Sequence, residues 1–279
     1  LESLGAILAS VLSRQGYYLY GFRQFSSRIK GGHTNYKIRI ATQPVGTLNK
    51  QCDLLLALDQ DTLVNEALAV GENGIILAEK AIADVYTGKA KLLAVPFNDI
   101  AKQYGTSMQK NIVALGCTAA IFGLGEDCCA VQLQKEFGKK GEEAVAANLR
   151  VFKAGMEFVK TEAPELLAEK QLPALISNEP KLFLLGNEAL AFGALSAGAR
   201  FMAAYPITPA SEVMEYMVKK VKELGGQMLQ AEDEIAACTM AIGASYGGAR
   251  AFTATSGPGL SLMAEAIGLA AMTETPLVI

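Results

Sequence analysis

The sequence runs to 279 residues, 51% of them apolar and 19% charged, which is enough to bury two cores of ordinary size. A formal net charge of -3 and a pI near 5.4, with lysine and arginine dispersed along the chain, provide no basic field for a nucleic-acid backbone. The longest uncharged apolar run, "NIVALGCTAAIFGLG" from Asn111, falls short of the ~18–20 residues of a membrane span and is expected as a buried helix, so no membrane partner is expected either.

Taken in chain order, "LESLGAILASVLSRQG" has the spacing of an amphipathic helix, and "YYLYG" and "NYKIRIA" read as strands. Short buried strands follow in "DLLLAL", "GIILAE" and "KLLAVPF". Strands interleaved with helices predict an α/β layer with a mainly parallel sheet over residues 1–160. Prolines and charges in "KTEAPELLAEKQLP", without a clear apolar face, predict a linker over 161–180.

From residue 181 to 279 the alternation is regular: strand "KLFLLG", helix "NEALAFGALSAGA", strand "FMAAYP", helix "PASEVMEYMVKKVKELGG", strand "QMLQAE". Helix "DEIAACTMAIGASYGG", strand "RAFTATS", helix "GLSLMAEAIGLAAM" and strand "PLVI" complete it. The fold class is therefore α/β with two domains, the second a doubly wound parallel sheet, in which ligands sit beyond the carboxyl ends of the strands. The chain opens inside an apparent helix and stops on an apparent strand, so the natural polypeptide is expected to extend both ways.

Cys52, Cys117, Cys128, Cys129 and Cys238 contain no CxxC pair, and His33 is the lone histidine; no zinc or iron-sulfur site can be argued from them. Reduced thiols in a cytoplasmic protein are the simplest reading.

Three strand ends carry candidate chemistry. After "FMAAYP", Pro206 stops ladder pairing, and Thr208 is expected to cap a helix that Pro209 opens. Thr208 then either serves its helix alone or faces an anion at the helix N-terminus. After "QMLQAE", Glu232, Asp233 and Glu234 begin a helix of small residues, Ala236, Ala237, Ala241, Gly243 and Ala244, against which another backbone could approach. These acids either complement the helix dipole or hold a perturbed carboxylate at a dry junction. After "RAFTATS", Ser256-Gly257-Pro258-Gly259 makes a tight turn with exposed amides.

An acid at the start of a small-residue helix, followed by Thr-Ser-Gly-Pro-Gly after the next strand, resembles the pyrimidine-binding domain of thiamine diphosphate enzymes. The resemblance implies that Glu234, or Glu232 if the register slips, hydrogen-bonds N1′ of the aminopyrimidine and favours its imino tautomer. "YPITP", with "LGNEALAFGALSAG" before it, is similar to the α subunit of 2-oxoacid:ferredoxin oxidoreductases. That likeness implies substrate contact by Thr208, beside a cofactor bound by Glu234, Tyr205, Pro206, Ile207, Ser256 and Gly257. "RQFSSRIKGGHTNYKIRI" resembles the γ domain of the same enzymes. There, Arg28 and Lys30 are candidates for coenzyme A phosphates or a solvated loop, Gly31, Gly32, Thr34 and Asn35 continue the motif, and His33 is expected to be structural.

The resemblance implies a fused γ-α subunit that decarboxylates a 2-oxoacid, with 2-oxoglutarate the favoured substrate, to acyl-CoA and CO2 with electrons passed to ferredoxin. It further implies a β subunit holding the diphosphate, Mg2+ and an iron-sulfur cluster, in a hetero-oligomer such as (αβ)2. It assigns no metal to this chain. The rivals are a non-redox carboligase of the acetolactate-synthase type, which shares the glutamate and the Ser-Gly-Pro-Gly turn, and a non-catalytic assembly subunit.

Overall fold

The computed structural model describes residues 2–24, 33–175 and 179–279, which divide into two compact units, Leu1–Phe183 and Leu184–Ile279. Helix α1 (Glu2–Gln15) buries Leu4, Ile7, Leu8, Val11 and Leu12, the i, i+3, i+4 stripe of its sequence. Strands β1 (Tyr18–Gln24) and β2 (Asn35–Ala41) pair antiparallel, with Tyr18 opposite Ala41 and Gln24 opposite Asn35. Strand β3 (Cys52–Ala57), helix α2 (Gln60–Glu66), β4 (Val70–Glu79) and β5 (Lys91–Val95) follow, the strands forming a parallel sheet in the order β3-β4-β5. The expected parallel sheet is thus confined to β3–β5, while the first two strands make a separate antiparallel ribbon.

On β4, the run Ile75 to Ala78 is fully buried without alternation, as expected of a strand covered on both faces. Ile75 and Leu77 join the helical core on one face, and Ile76 and Ala78 join Ala57, Leu63 and Ala90 on the other. Beyond β5 come α3 (Phe97–Tyr104), α4 (Lys110–Phe122), α5 (Glu126–Phe137) and α6 (Glu142–Glu162). Helix α4 is buried on all sides from Ile112 to Ile121, matching its apolar sequence. It crosses α6 so closely that a Cβ on Gly116 would strike the Phe152 carbonyl, and one on Gly155 the Val113 carbonyl.

The segment expected as a linker packs onto this first unit instead. Leu166 in α7 (Leu166–Glu169) is fully buried in its core, and Leu172 and Leu175 lie against it. Tyr17 Oη donates to the Pro173 carbonyl at 2.8 Å, and the Lys181 amide to the Ser13 carbonyl at 2.8 Å. Leu166, Leu167, Leu172 and Leu175 are the apolar contacts that hold this charged segment down.

The second unit consists of α8 (Gly186–Ser196), β6 (Phe201–Ala204), α9 (Ser211–Lys220), β7 (Gln227–Gln230), α10 (Glu234–Tyr246), β8 (Ala251–Phe252), α11 (Gly259–Leu262) and α12 (Ala264–Met272). Its strands are parallel in the order β7-β6-β8, and Val278 adds a parallel bridge to Phe252. "KLFLLG" forms no strand, and "PLVI" contributes only that bridge. Met202 and Ala204 pack with α8 and α9, whereas Ala203 between them faces the opposite side, where α10 crosses the sheet. The chain leaves β6 for β7 on one side and returns past β6 to β8 on the other. The order therefore reverses between β6 and β8, and the loops at their carboxyl ends flank the crevice where such sheets bind ligands.

Candidate active site

Each predicted motif of the second unit lies at that edge. Pairing of β6 with β7 extends to Ala231, whose amide donates to the Ala204 carbonyl at 3.0 Å. Asp233 then caps α10 from an extended backbone, its Oδ1 accepting from the Ala236 amide at 2.7 Å. This cap fixes which of the three acids turns inward. Glu232 and Asp233 are exposed, and Glu234 is only 5% exposed. Of the two glutamates, Glu234 is the buried one and Glu232 lies at the surface.

Glu234 meets the loop that follows β8. A Cβ built on Gly259 would lie 2.9 Å from both Cγ and Oε1 of Glu234 and would collide with Oγ1 of Thr255. Thr255 Oγ1 and Thr253 Oγ1 are both shut off from solvent and have no hydrogen-bond partner among the described residues. Thr253 is itself 1% exposed. Glycine at 259 is therefore required by close approach, while Gly257 sits at φ +58, in the left-handed region.

The loop after β6 is tied down from two sides. Ser256 Oγ donates to the Thr208 carbonyl at 3.2 Å, joining the two flanks of the crevice. Asn187 at the start of α8 donates through Nδ2 to the Pro209 carbonyl at 3.1 Å and to Glu212 Oε2 at 3.0 Å. Tyr205, Pro206 and Thr208 are exposed in this loop and Ile207 is half-buried. Thr208 is not the helix cap expected from sequence. The Ser211 amide bonds back to the Ile207 carbonyl at 3.0 Å, α9 begins at Ser211 with Ala210 at the cap position, and the Thr208–Pro209 peptide is cis. The small-residue reading of α10 also divides: Ala237 and Ala241 are buried against the sheet, but among the described residues nothing lies within 4 Å of where a Cβ on Gly243 would stand.

In the first unit, Arg28, Lys30, Gly31 and Gly32 lie outside the described residues. The remainder of that motif is bound into an ionic knot around Glu66. Its Oε1 accepts from Asn35 Nδ2 at 2.7 Å and contacts His33 Nε2 at 3.1 Å, while Oε2 pairs with Lys37 Nζ at 2.8 Å. Burial alone would raise the Glu66 carboxyl, but Lys37, His33 and Asn35 together hold it below its ordinary value. Beside this knot, β2 and β3 border a cavity of about 580 Å³. Among the described residues no cluster of histidine, cysteine, aspartate or glutamate is arranged to hold a metal. All five cysteines are free, and burial pushes the Cys117 and Cys129 thiols up to about 12.

Sequence reasoning missed Asn187, Thr253, Thr255 and Gly259 as site residues. The "GNE" helix start was a usable signal for Asn187, and the alternate threonines of "TATS" for the other face of the loop. Gly259 was hidden within a turn motif.

Comparison with known proteins agrees with this architecture. Residues 1–158 match the family described as Pyruvate ferredoxin/flavodoxin oxidoreductase, and residues 192–279 match Pyruvate flavodoxin/ferredoxin oxidoreductase, thiamine diP-bdg. The chain is 30% identical to a 2-oxoacid:ferredoxin oxidoreductase subunit alpha of Saccharolobus solfataricus, in an alignment that covers 100% of this chain and 52% of that protein. Over 97 residues it is 58% identical to a 2-oxoglutarate synthase subunit KorA of Methanothermobacter marburgensis, covering 35% of this chain and 26% of the relative. A solved 2-oxoglutarate:ferredoxin oxidoreductase from Magnetococcus marinus, with 2-oxoglutarate, coenzyme A and succinyl-CoA bound, is similar with a TM-score of 0.82 and 33% identity. That match covers 99% of this chain and 48% of the other. The chain spans about half the length of the curated relatives that it matches end to end.

Proposed function

Because the chain belongs to the pyruvate ferredoxin/flavodoxin oxidoreductase family, we propose that it supplies the pyrimidine side of a thiamine diphosphate site in the α (fused γ-α) subunit of a 2-oxoacid:ferredoxin oxidoreductase. The reaction is oxidative decarboxylation of a 2-oxoacid with coenzyme A to acyl-CoA and CO2, two electrons passing to ferredoxin. The substrate names of the KorA relatives and of the Magnetococcus enzyme favour 2-oxoglutarate.

One observation carries this reading: a buried carboxylate, Glu234, at the reversal point of a parallel sheet, pressed against a glycine and a solvent-free hydroxyl. These groups suit an aminopyrimidine. Gly259, lacking a Cβ, lets Glu234 and Thr255 close onto the loop backbone, and the buried carboxyl group is the one acid of its triplet able to meet a ring nitrogen away from water. When bound, thiamine diphosphate supplies the electron sink that decarboxylation requires. Glu234 holds a proton at N1′, where exclusion of water strengthens the hydrogen bond. Thr208 presents its hydroxyl to the substrate from a loop that Asn187 and Ser256 keep in place, with Tyr205, Pro206 and Ile207 lining the approach.

The diphosphate, Mg2+ and the iron-sulfur cluster fall to a partner β subunit in this reading. Exposed apolar residues on α10, α11 and α12, among them Ile235, Met240, Tyr246, Leu260, Ile267 and Leu269, support a partner over this face. Arg28 and Lys30 are proposed for the coenzyme A phosphates. The complex is proposed to be a cytoplasmic hetero-oligomer; among the described residues no helix is long and apolar enough to cross a membrane.

The test is Glu234→Gln in the full-length subunit assembled with its partner, assayed by coenzyme A-dependent viologen reduction. Turnover is expected to fall at least about 100-fold while the unfolding temperature holds. Unchanged turnover would refute the assignment, and carboligation without dye reduction would point to the non-redox rival.

A further inference from the structure

We infer that Thr255 is a positioning residue for the Glu234 carboxylate, its hydroxyl donating to one carboxylate oxygen while the other faces the pyrimidine. The inference rests on the reading of Glu234 just given and deepens it.

Three observations converge. The Thr255 hydroxyl is sealed from solvent and has no hydrogen-bond partner among the described residues. A buried hydroxyl left in that condition is costly, so its neighbourhood must hold an acceptor it can reach. The acceptor we assign is Glu234: its Oε1 and Thr255 Oγ1 both lie within 2.9 Å of a single point above Gly259, neighbours that are not hydrogen-bonded as they stand and that a side-chain rotation brings into contact. Gly259 is the third element: with any side chain there, the carboxylate and the hydroxyl would be wedged apart. Thr255 lies two residues beyond Thr253 in the segment that leaves β8, and both hydroxyls are buried without a partner among the described residues. The Thr255 Oγ1–H rotates freely about its C–O bond and adjusts to either carboxylate oxygen.

The chemical consequence is directional. When the shared proton resides on N1′, Glu234 carries a full negative charge in a site from which water is excluded. A hydroxyl donor to its second oxygen stabilises that charged state and fixes the plane of the carboxylate, favouring the proton on the ring. Serine preserves this function, and valine, of nearly the same shape, removes it.

The experiment uses the full-length subunit assembled with its partner and saturated with thiamine diphosphate, its affinity checked by calorimetry. Two readouts are taken for the wild type, Thr255→Val, Thr255→Ser and Glu234→Gln: hydrogen–deuterium exchange at C2 of the bound cofactor, and the circular-dichroism band of its imino form. Thr255→Val is expected to slow exchange about 10- to 100-fold and to diminish the band, as loss of a hydrogen bond to a charged group would. Thr255→Ser is expected to stay within about two-fold of wild type, since the donor survives. Equal slowing by serine and valine would overturn the inference, because the methyl group would then be what matters. Loss of both signals in Glu234→Gln with neither altered in Thr255→Val would overturn it while leaving the function intact. Both signals unchanged in Glu234→Gln would defeat the functional reading itself. If Thr255→Val lowers the unfolding temperature, Thr255→Ala against Thr255→Ser decides by the same criterion.

Discussion

Gly259→Ala adds one methyl group at the narrowest point of the candidate site. The new Cβ would collide with Thr255 Oγ1, which must rotate away, and would stand 2.9 Å from Glu234 Cγ and Oε1. Carbon contacts settle near 3.5–4.0 Å, so the carboxylate must withdraw by roughly 0.6–1 Å. Gly259 is the first residue of α11 and has no positive φ, so the backbone itself accepts alanine. Helix propensity even favours alanine, by about 1 kcal/mol, against about 1–3 kcal/mol for overpacking. The two terms leave the unfolding temperature little changed or modestly lower. Function responds more strongly, since a displacement of about 1 Å at a reacting group costs on the order of 100-fold. Stopped-flow decarboxylation by the assembled complex measures the effect, and calorimetric unfolding of the same preparation separates it from misfolding. Wild-type turnover in a folded Gly259→Ala protein would refute the placement of Glu234 against this glycine.

Two further outcomes concern the first unit. The Glu66 carboxyl is depressed below its ordinary value near 4.5, so its contribution to stability is complete above that pH and is lost as pH falls through the depressed value. Glu66→Gln should cost about 1–2 kcal/mol near neutral pH and flatten the acid limb of a pH–stability curve; an unchanged acid limb would refute the knot's role. Cys117 and Cys129, whose thiols burial holds near 12, should resist iodoacetamide in the native protein and react on denaturation, as read by mass spectrometry.

Much of the fold could be read from periodicity, because the strongest patterns were also the most buried. The runs Ile75–Ala78 in β4 and Ile112–Ile121 in α4 are uncharged and almost wholly apolar, and each is buried throughout. Weaker segments depended on partners that a local pattern does not reveal. "KLFLLG" has strand composition, yet Lys181 bonds to the Ser13 carbonyl and its ammonium stacks 4.5 Å from the Tyr18 ring centroid, so α1 and β1 dictate its path. The linker expectation failed for a related reason: Leu166, Leu172 and Leu175 are spaced to fill the gap beside α4, a shape absent from the sequence. The direction of β1 relative to β2 was equally a matter of tertiary pairing.

At the site, single residues were legible where one rule decided them, and obscure where two rules competed. The three acids at the start of α10 were legible as a group, and the structure separates them: Asp233 caps the helix, which leaves Glu234 in the first turn and buried. Thr208 invited the same logic, but residues 208–210 form a turn and the helix starts only at Ser211. Its hydroxyl is thereby released from capping duty while its carbonyl is fastened to Ser256. A threonine freed in that way can be spent on a ligand, whereas a cap cannot. The departure from the expected helix start is accordingly what frees the Thr208 hydroxyl at the crevice, while Ser256, expected as a cofactor contact, ties the loop through its bond to the Thr208 carbonyl.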